Sequence, residues 1–318
     1  MPFWRSWHRP LLAVSALMAA LTVISALGLA FDDRVLTGSP VWSKPFKFSL
    51  SFTLYGLSLA WMLSLATRAR RLGWWAGATV TVTMLIEMAV IIGQTVRGRR
   101  SHFNVETAFD AALYNVMGAT VVVLWTASLV IALLLFRADL PDRASAWALK
   151  LGSVIALTGA ALGFLMTLPT SEQAAADRAG TATTLGAHAV GVPDGGPSMP
   201  LTGWSTTGGD LRIPHFLGMH ALQLLPLLVL ALLLLAPRLP RLRDERVRLR
   251  LVLTASAAYA ALVALVTWQA LRGQPLTRPD GATLAALAAI LAGTALSARL
   301  ALRPLPVPRK DPERELVS

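Results

Sequence analysis

The densest group of residues able to do chemistry is Gly209-Asp210-Leu211-Arg212-Ile213-Pro214-His215-Phe216-Leu217-Gly218-Met219-His220-Ala221-Leu222-Gln223. A polar loop runs there into an apolar helix that still carries two imidazoles and an amide. A carboxylate, a guanidinium and imidazoles in one stretch could hold an anion, ligate zinc or haem iron, or orient a bound ligand. His215 and His220 are five residues apart, ~140° around a helix, so they lack the i, i+4 geometry of an H-E-x-x-H zinc site unless His215 precedes the regular helix. A lone core histidine is more often a hydrogen-bonded structural residue. Here, though, four of the five histidines (His102, His188, His215 and His220) fall on one predicted side, which favours a joint role.

Two other segments supply charge to the same side. Trp42-Ser43-Lys44-Pro45-Phe46-Lys47-Phe48 holds two of the chain's four lysines. On a helix entered at Pro45, Lys47, Ser51, Tyr55 and Ser58 form a polar stripe that must face other helices. Lys44 and Lys47 then either hold a phosphate or carboxylate or snorkel to the membrane interface. The second segment, Gln94-Thr95-Val96-Arg97-Gly98-Arg99-Arg100-Ser101-His102-Phe103-Asn104, is followed by Asp110, Tyr114 and Asn115. Its three arginines make sense opposite Asp110, Asp210 or an anionic ligand, and Asp110 lies one turn from Tyr114. Ser101 beside His102 suggests a nucleophile and base, but adjacent residues do not face each other on a helix. Glu87 shares a face with Gln94 and Arg97 and sits ~15 Å deeper than Arg97. It either relays a proton or gates an ion, or it is protonated and hydrogen-bonded to a Tyr or Thr of a neighbouring helix.

The elements that must position these groups are membrane helices. Hydrophobic residues make up 55% of the chain and charged residues 14%, far from the mix of a soluble domain. Eight apolar runs match the ~20 residues that span a bilayer: Leu11–Phe31, Phe46–Ala66, Trp74–Thr95, Ala111–Phe136, Trp147–Leu168, His215–Ala236, Leu249–Leu271 and Ala282–Leu302. They are continuous rather than alternating, which selects helices over a barrel. The expectation is an all-α polytopic bundle of eight transmembrane helices, one domain over 1–302, with a disordered tail at 303–318. A long segment, 169–214, separates the fifth and sixth spans. It opens on a capping box, Thr170-Ser171-Glu172-Gln173, for a short helix through Arg178. Trp204 and several tight-turn sequences favour a folded cap, with a flexible tether as the alternative. A four-plus-four division at the Arg137–Ala146 loop is compatible with the pattern, although the halves share no motif.

The net charge of +12 is distributed by topology. With the N-terminus inside, the inner segments hold 19 of the 29 basic residues, which places both termini in the cytoplasm and the 169–214 cap outside. The Arg238–Arg250 run reads as a topogenic loop near anionic lipid rather than a nucleic-acid site, so the bilayer is the expected partner and nucleic acid is not. Arg5, Arg9 and Gly28-Leu29-Ala30 resemble parts of a signal peptide, but the apolar run exceeds a typical h-region and is read as the first span. There is no cysteine, which excludes disulfides, thiolate ligands and lipoprotein anchoring.

Trp42-x-Lys44-Pro45-x-Lys47-Phe48, Gly93-Gln94-x-x-Arg97-Gly98-x-x-Ser101-His102-Phe103-Asn104 and Gly209-Asp210-Leu211-Arg212-x-x-His215-Phe216-x-Gly218-x-His220-x-x-Gln223 together resemble a family of uncharacterised bacterial polytopic membrane proteins. The resemblance spans roughly 31–223 and implies a bacterial cytoplasmic membrane, without implying an activity. Haem A synthase also has eight helices, but its glutamate–histidine–arginine signatures are missing here. Three functional expectations follow. The first is binding or transport of an anionic small molecule or lipid headgroup by Lys44, Lys47, Arg97 and Arg212, with Ser101, His102, Asn104, Asp110, Asp210, His215, His220 and Gln223 around it. The second is b-type haem electron transfer with His102 and His220 as axial ligands. The third is a metal-assisted hydrolase with zinc on His102, Asp210, His215 and His220. A structural or assembly role for the same polar network is the plain alternative.

Overall fold

The computed structural model describes residues 6–140 and 142–303. The tail reading at 304–318, and Arg5 in the charge count, lie outside them. Eight of the described helices are long and apolar enough to cross a membrane. They are α1 (Arg9–Phe31), α2 (Ser43–Leu65), α3 (Arg70–Val96), α4 (Ala108–Phe136), α5 (Arg143–Leu162, extended by a 3-10 turn at Gly163–Thr167), α7 (Arg212–Leu235), α8 (Glu245–Leu271) and α9 (Gly281–Ala301). The short α6 (Ser171–Arg178) lies between α5 and α7 and begins with the expected capping box of Thr170 and Gln173.

Polar residues at the ends of the apolar runs explain where the helices begin. Thr107, Asp142, Asp244 and Asp280 accept hydrogen bonds from first-turn backbone N–H groups of α4, α5, α8 and α9. His8 does the same for α1, accepting from Leu11 N, while its Nε2 donates to Trp74 O. In contrast, α2 and α7 start at Trp42 and Leu211 with no side-chain cap from those residues.

Two apolar clusters form the core. One unites α1 to α4 through Leu11, Met18, Leu59, Val80, Met84 and Ile131, and takes in Ala156 of α5 and Leu222 of α7. The other unites α5, α7 and α8 through Ala148, Ile155, Ala221, Leu225, Val252 and Val263. Small residues set the tightest contact, between α5 and α7. A Cβ on Gly159 would meet the backbone of Gly218 at 2.5 Å, and a Cβ on Gly152 would lie 3.0 Å from Ala221 O. Close backbone approach of this kind is how membrane helices gain dispersion energy when lipid is as apolar as leucine. By comparison α9 packs against α8 and leaves Leu284, Leu291, Leu296 and Leu300 on its surface, as suits a lipid-facing helix.

The long segment is folded, not a tether. Strands β1 (Val35–Leu36) and β2 (Ser39–Pro40) form a hairpin between α1 and α2; β3 (Ala189–Val190) pairs antiparallel with β4 (Gly209–Asp210), and bridges join Asn104 to Thr184 and Ser198 to Ser205. Gln173 holds Gly186 through both amide atoms, at 3.0 and 2.9 Å. The cap meets other loops at the same end of the bundle: Gly195 lies against Gly38, and Gly209 against Ala270.

Candidate functional site

Beneath the cap, the carboxylates named from the sequence are fully engaged. Asp210 is 1% exposed. It accepts from the backbone N–H of Ser205 at 2.8 Å and of Arg212 at 3.0 Å, and from the Arg212 guanidinium at 2.9 and 2.5 Å. Arg212 also donates to Gly203 O at 2.6 Å. One ion pair therefore joins β4, the 203–205 turn and the first turn of α7. Asp110, equally buried, accepts from Gln94 Nε2 (2.8 Å), Arg97 Nη1 (2.7 Å) and Thr107 Oγ1 (2.8 Å). Arg99 pairs with Glu106, and Arg100 donates to Thr184 Oγ1. All three arginines of the α3–α4 loop thus have protein partners. Asn104 closes the same loop, donating to Arg100 O and accepting from Glu106 N.

The lysines are different. Lys47 Nζ donates to the Thr202 carbonyl at 3.0 Å. Lys44 lies 5.8 Å from the centre of the Phe48 ring and, among the described residues, has no hydrogen bond or ion pair. Gly203, in the left-handed region at φ +67°, brings the cap down between cations. A Cβ there would lie 3.7 Å from Lys47 Nζ and 4.0 Å from Arg212 Nη1.

The histidines sit around this cationic group. His102 is stacked edge-on against Phe48 and Phe103, and Phe103 in turn contacts His188 at 4.9 Å and Tyr114 at 5.8 Å. Burial pushes the His102 pKa well below its ordinary value, and the nearby Lys44, His188 and His215 push it further. His188 is also lowered by burial, against the raising effect of Asp194, to which its Nδ1 donates at 2.8 Å. Burial works to raise Asp194, but the His188 ring and the His188 and Ala189 backbone N–H groups outweigh it and bring it below the usual carboxylate range. His215 Nδ1 donates to Gly159 O at 2.8 Å, which fixes its orientation across the α5–α7 contact.

One reading from the sequence needs correction. Ser101 Oγ and His102 Nδ1 are 3.2 Å apart. The segment is a turn, with Phe103 at φ +60°, so neighbouring side chains can meet where a helix would separate them. Arg97 and Arg212, expected to hold an anion, instead serve Asp110 and Asp210. Among the described residues, no three His, Asp or Glu side chains are grouped to hold a metal ion. Asp210 in particular is occupied by its four donors.

The polar stripe of α2 faces other helices, as its spacing demands. Tyr55 donates to Ser128 of α4 at 2.6 Å, and Ser58 accepts from Gln223 Nε2 of α7 at 3.0 Å. Gln223 Oε1 is buried beside the His220 ring without a hydrogen bond of normal geometry. Ser51, Phe52, Tyr55, Ser128, Met219 and His220 help line a cavity of about 100 Å³ among α2, α4, α5 and α7. Deeper in the other half, Glu87 accepts from Thr120 Oγ1 of α4 at 2.5 Å, the neighbouring-helix threonine anticipated as one alternative.

Sequence reasoning missed His188 with Asp194, the aromatic floor of Phe48 and Phe103, and the cavity. A histidine five residues before a Pro193-Asp194-Gly195 turn was an available signal for the first. The chain matches no protein-family model, no curated protein and no solved structure.

Proposed function

We propose that this is an integral protein of a bacterial cytoplasmic membrane, with its cap outside and both termini inside, that binds or transports a small anion or anionic headgroup at Lys44 and Lys47. The observation that carries this reading is Lys44: a cation beneath a folded cap that lies over the Phe48 ring and, among the described residues, makes no hydrogen bond or ion pair, while every neighbouring arginine is paired. An unpaired cation in such surroundings is costly unless an anion joins it. The start of α2, which lacks a side-chain cap from Trp42, adds the positive end of a helix dipole. The three-motif resemblance supports the bacterial location, and the charge asymmetry supports the orientation.

The haem reading is less favoured. A cavity of about 100 Å³ beside His220 is well below the ~300 Å³ at which drug-sized ligand pockets begin, and haem is larger than most such ligands. The hydrolase reading would need metal ligands that are not grouped among the described residues.

Binding of inorganic phosphate to the protein in nanodiscs, followed by calorimetry, tests the proposal. A charge-assisted hydrogen bond contributes ~1.5–3 kcal/mol, so Lys44→Gln is expected to weaken binding about 10- to 100-fold. Unchanged phosphate affinity in Lys44→Gln, or no binding by the unaltered protein, overturns the reading.

A further inference from the structure

The cationic group and the cavity are consecutive along α2. Ser51, on the cavity wall, lies one turn below Lys47, a rise of ~6 Å. Lys44 reaches the same wall through aromatic contacts, lying over Phe48, which packs edge-on against cavity-lining Phe52 at 6.0 Å. On the facing helix, Trp204 of the cap contacts Phe216, and Phe216 contacts His220 at 4.3 Å, again on the cavity wall. Thus the polar head region leads down, by aromatic and small side chains, into a space bounded mainly by Leu59, Met62, Leu124, Ile131 and Leu222.

We infer that the ligand is an amphiphilic anion, with a phosphate or carboxylate head at Lys44 and Lys47 and an apolar tail in the cavity among α2, α4, α5 and α7. This rests on the anion reading above and adds the tail. An apolar cavity of ~150 Å³ accepts benzene, so about 100 Å³ holds roughly four carbons without rearrangement. The α4–α5 and α2–α7 contacts bound the cavity, so a longer tail enters if these helices part.

The test compares the unaltered protein with Ala156→Phe, which fills the cavity from α5, in the same nanodiscs, using inorganic phosphate, butyl phosphate and dodecyl phosphate. Taking the ratio of the two proteins' affinities cancels partition of each probe into the bilayer. Inorganic phosphate is expected to bind both alike. Butyl phosphate is expected to bind the unaltered protein at least tenfold more tightly, since each buried methylene favours binding by ~fourfold. A ratio that levels off at butyl phosphate assigns a short-chain soluble anion. One that climbs on to dodecyl phosphate assigns a lipid. A ratio near one for all three probes overturns the tail, while loss of phosphate binding by the unaltered protein overturns the anion reading itself. Should Ala156→Phe fail to fold, a butyl phosphate analogue with a terminal diazirine decides on the unaltered protein. Labelling of Tyr55, Leu124 or Met219 supports the inference, and labelling confined to lipid-facing residues of α9 overturns it.

Discussion

Asp210→Asn would keep the shape of the cap clamp and remove its charge. In the folded protein the carboxylate serves two backbone N–H groups and two nitrogens of Arg212, all within 3.0 Å. An asparagine has one acceptor oxygen and presents an NH₂ to the rest, so at least one Arg212 contact becomes donor against donor. Breaking a fully buried pair costs ~3–5 kcal/mol, and with the Arg212 side chain 29% exposed a figure of about 2–3 kcal/mol is expected. The eight-helix bundle does not depend on this contact, so the loss should be local: β4 releases β3, and the 181–211 segment opens. Limited proteolysis should cut within that segment about 30- to 160-fold faster, while the helical circular dichroism and the main melting transition change little. Arg212→Gln in the same chain should restore most of the protection, because no unpaired charge then remains. If Asp210→Asn resists protease as well as the unaltered protein does, the ion pair does not hold the cap, and the geometry has been given the wrong role.

Acidification should loosen the same region. The His102 pKa is held well below 6.5 in the fold, so the unfolded segment takes up the proton first and stability is lost as pH falls below about 6.5. The loss is read as faster hydrogen exchange around 101–104 and 181–190 on acidification; exchange protection that stays flat, after correction for the intrinsic rate, contradicts it. Glu87→Gln should change stability by less than about 1 kcal/mol, since an amide oxygen still accepts from Thr120, whereas Glu87→Ala should cost about 2 kcal/mol or more, measured by thermal melting in detergent. Gly159→Val should lower the melting temperature by the equivalent of ~1–3 kcal/mol or more, because its side chain meets the backbone of Gly218 rather than a movable side chain. Reporter fusions within 169–214 should report an external location and fusions within 238–250 a cytoplasmic one, and the reverse result would invert the proposed site.

The eight spans are written in the sequence because their cause is local: ~20 consecutive apolar residues satisfy the bilayer whatever the neighbours do. The capping box at Thr170 and the inward-facing stripe from Lys47 to Ser58 are legible for the same reason, since helical periodicity and first-turn hydrogen bonding span only a few residues. The sequence also places the three polar motifs on one side of the bundle. Their pairing is a tertiary matter. Whether Arg97 and Arg212 were free to hold an anion depended on Asp110 and Asp210 coming within 2.7 and 2.5 Å, a distance no periodicity encodes. Ser101 meets His102 because Phe103 turns the backbone to φ +60°, and among the described residues Lys44 makes no hydrogen bond or ion pair because the folded cap gives a carbonyl to Lys47 and none to it. The cavity has the same origin: it lies where four helices fail to fill the space among them, and volume left over from packing exists only once the helices have met.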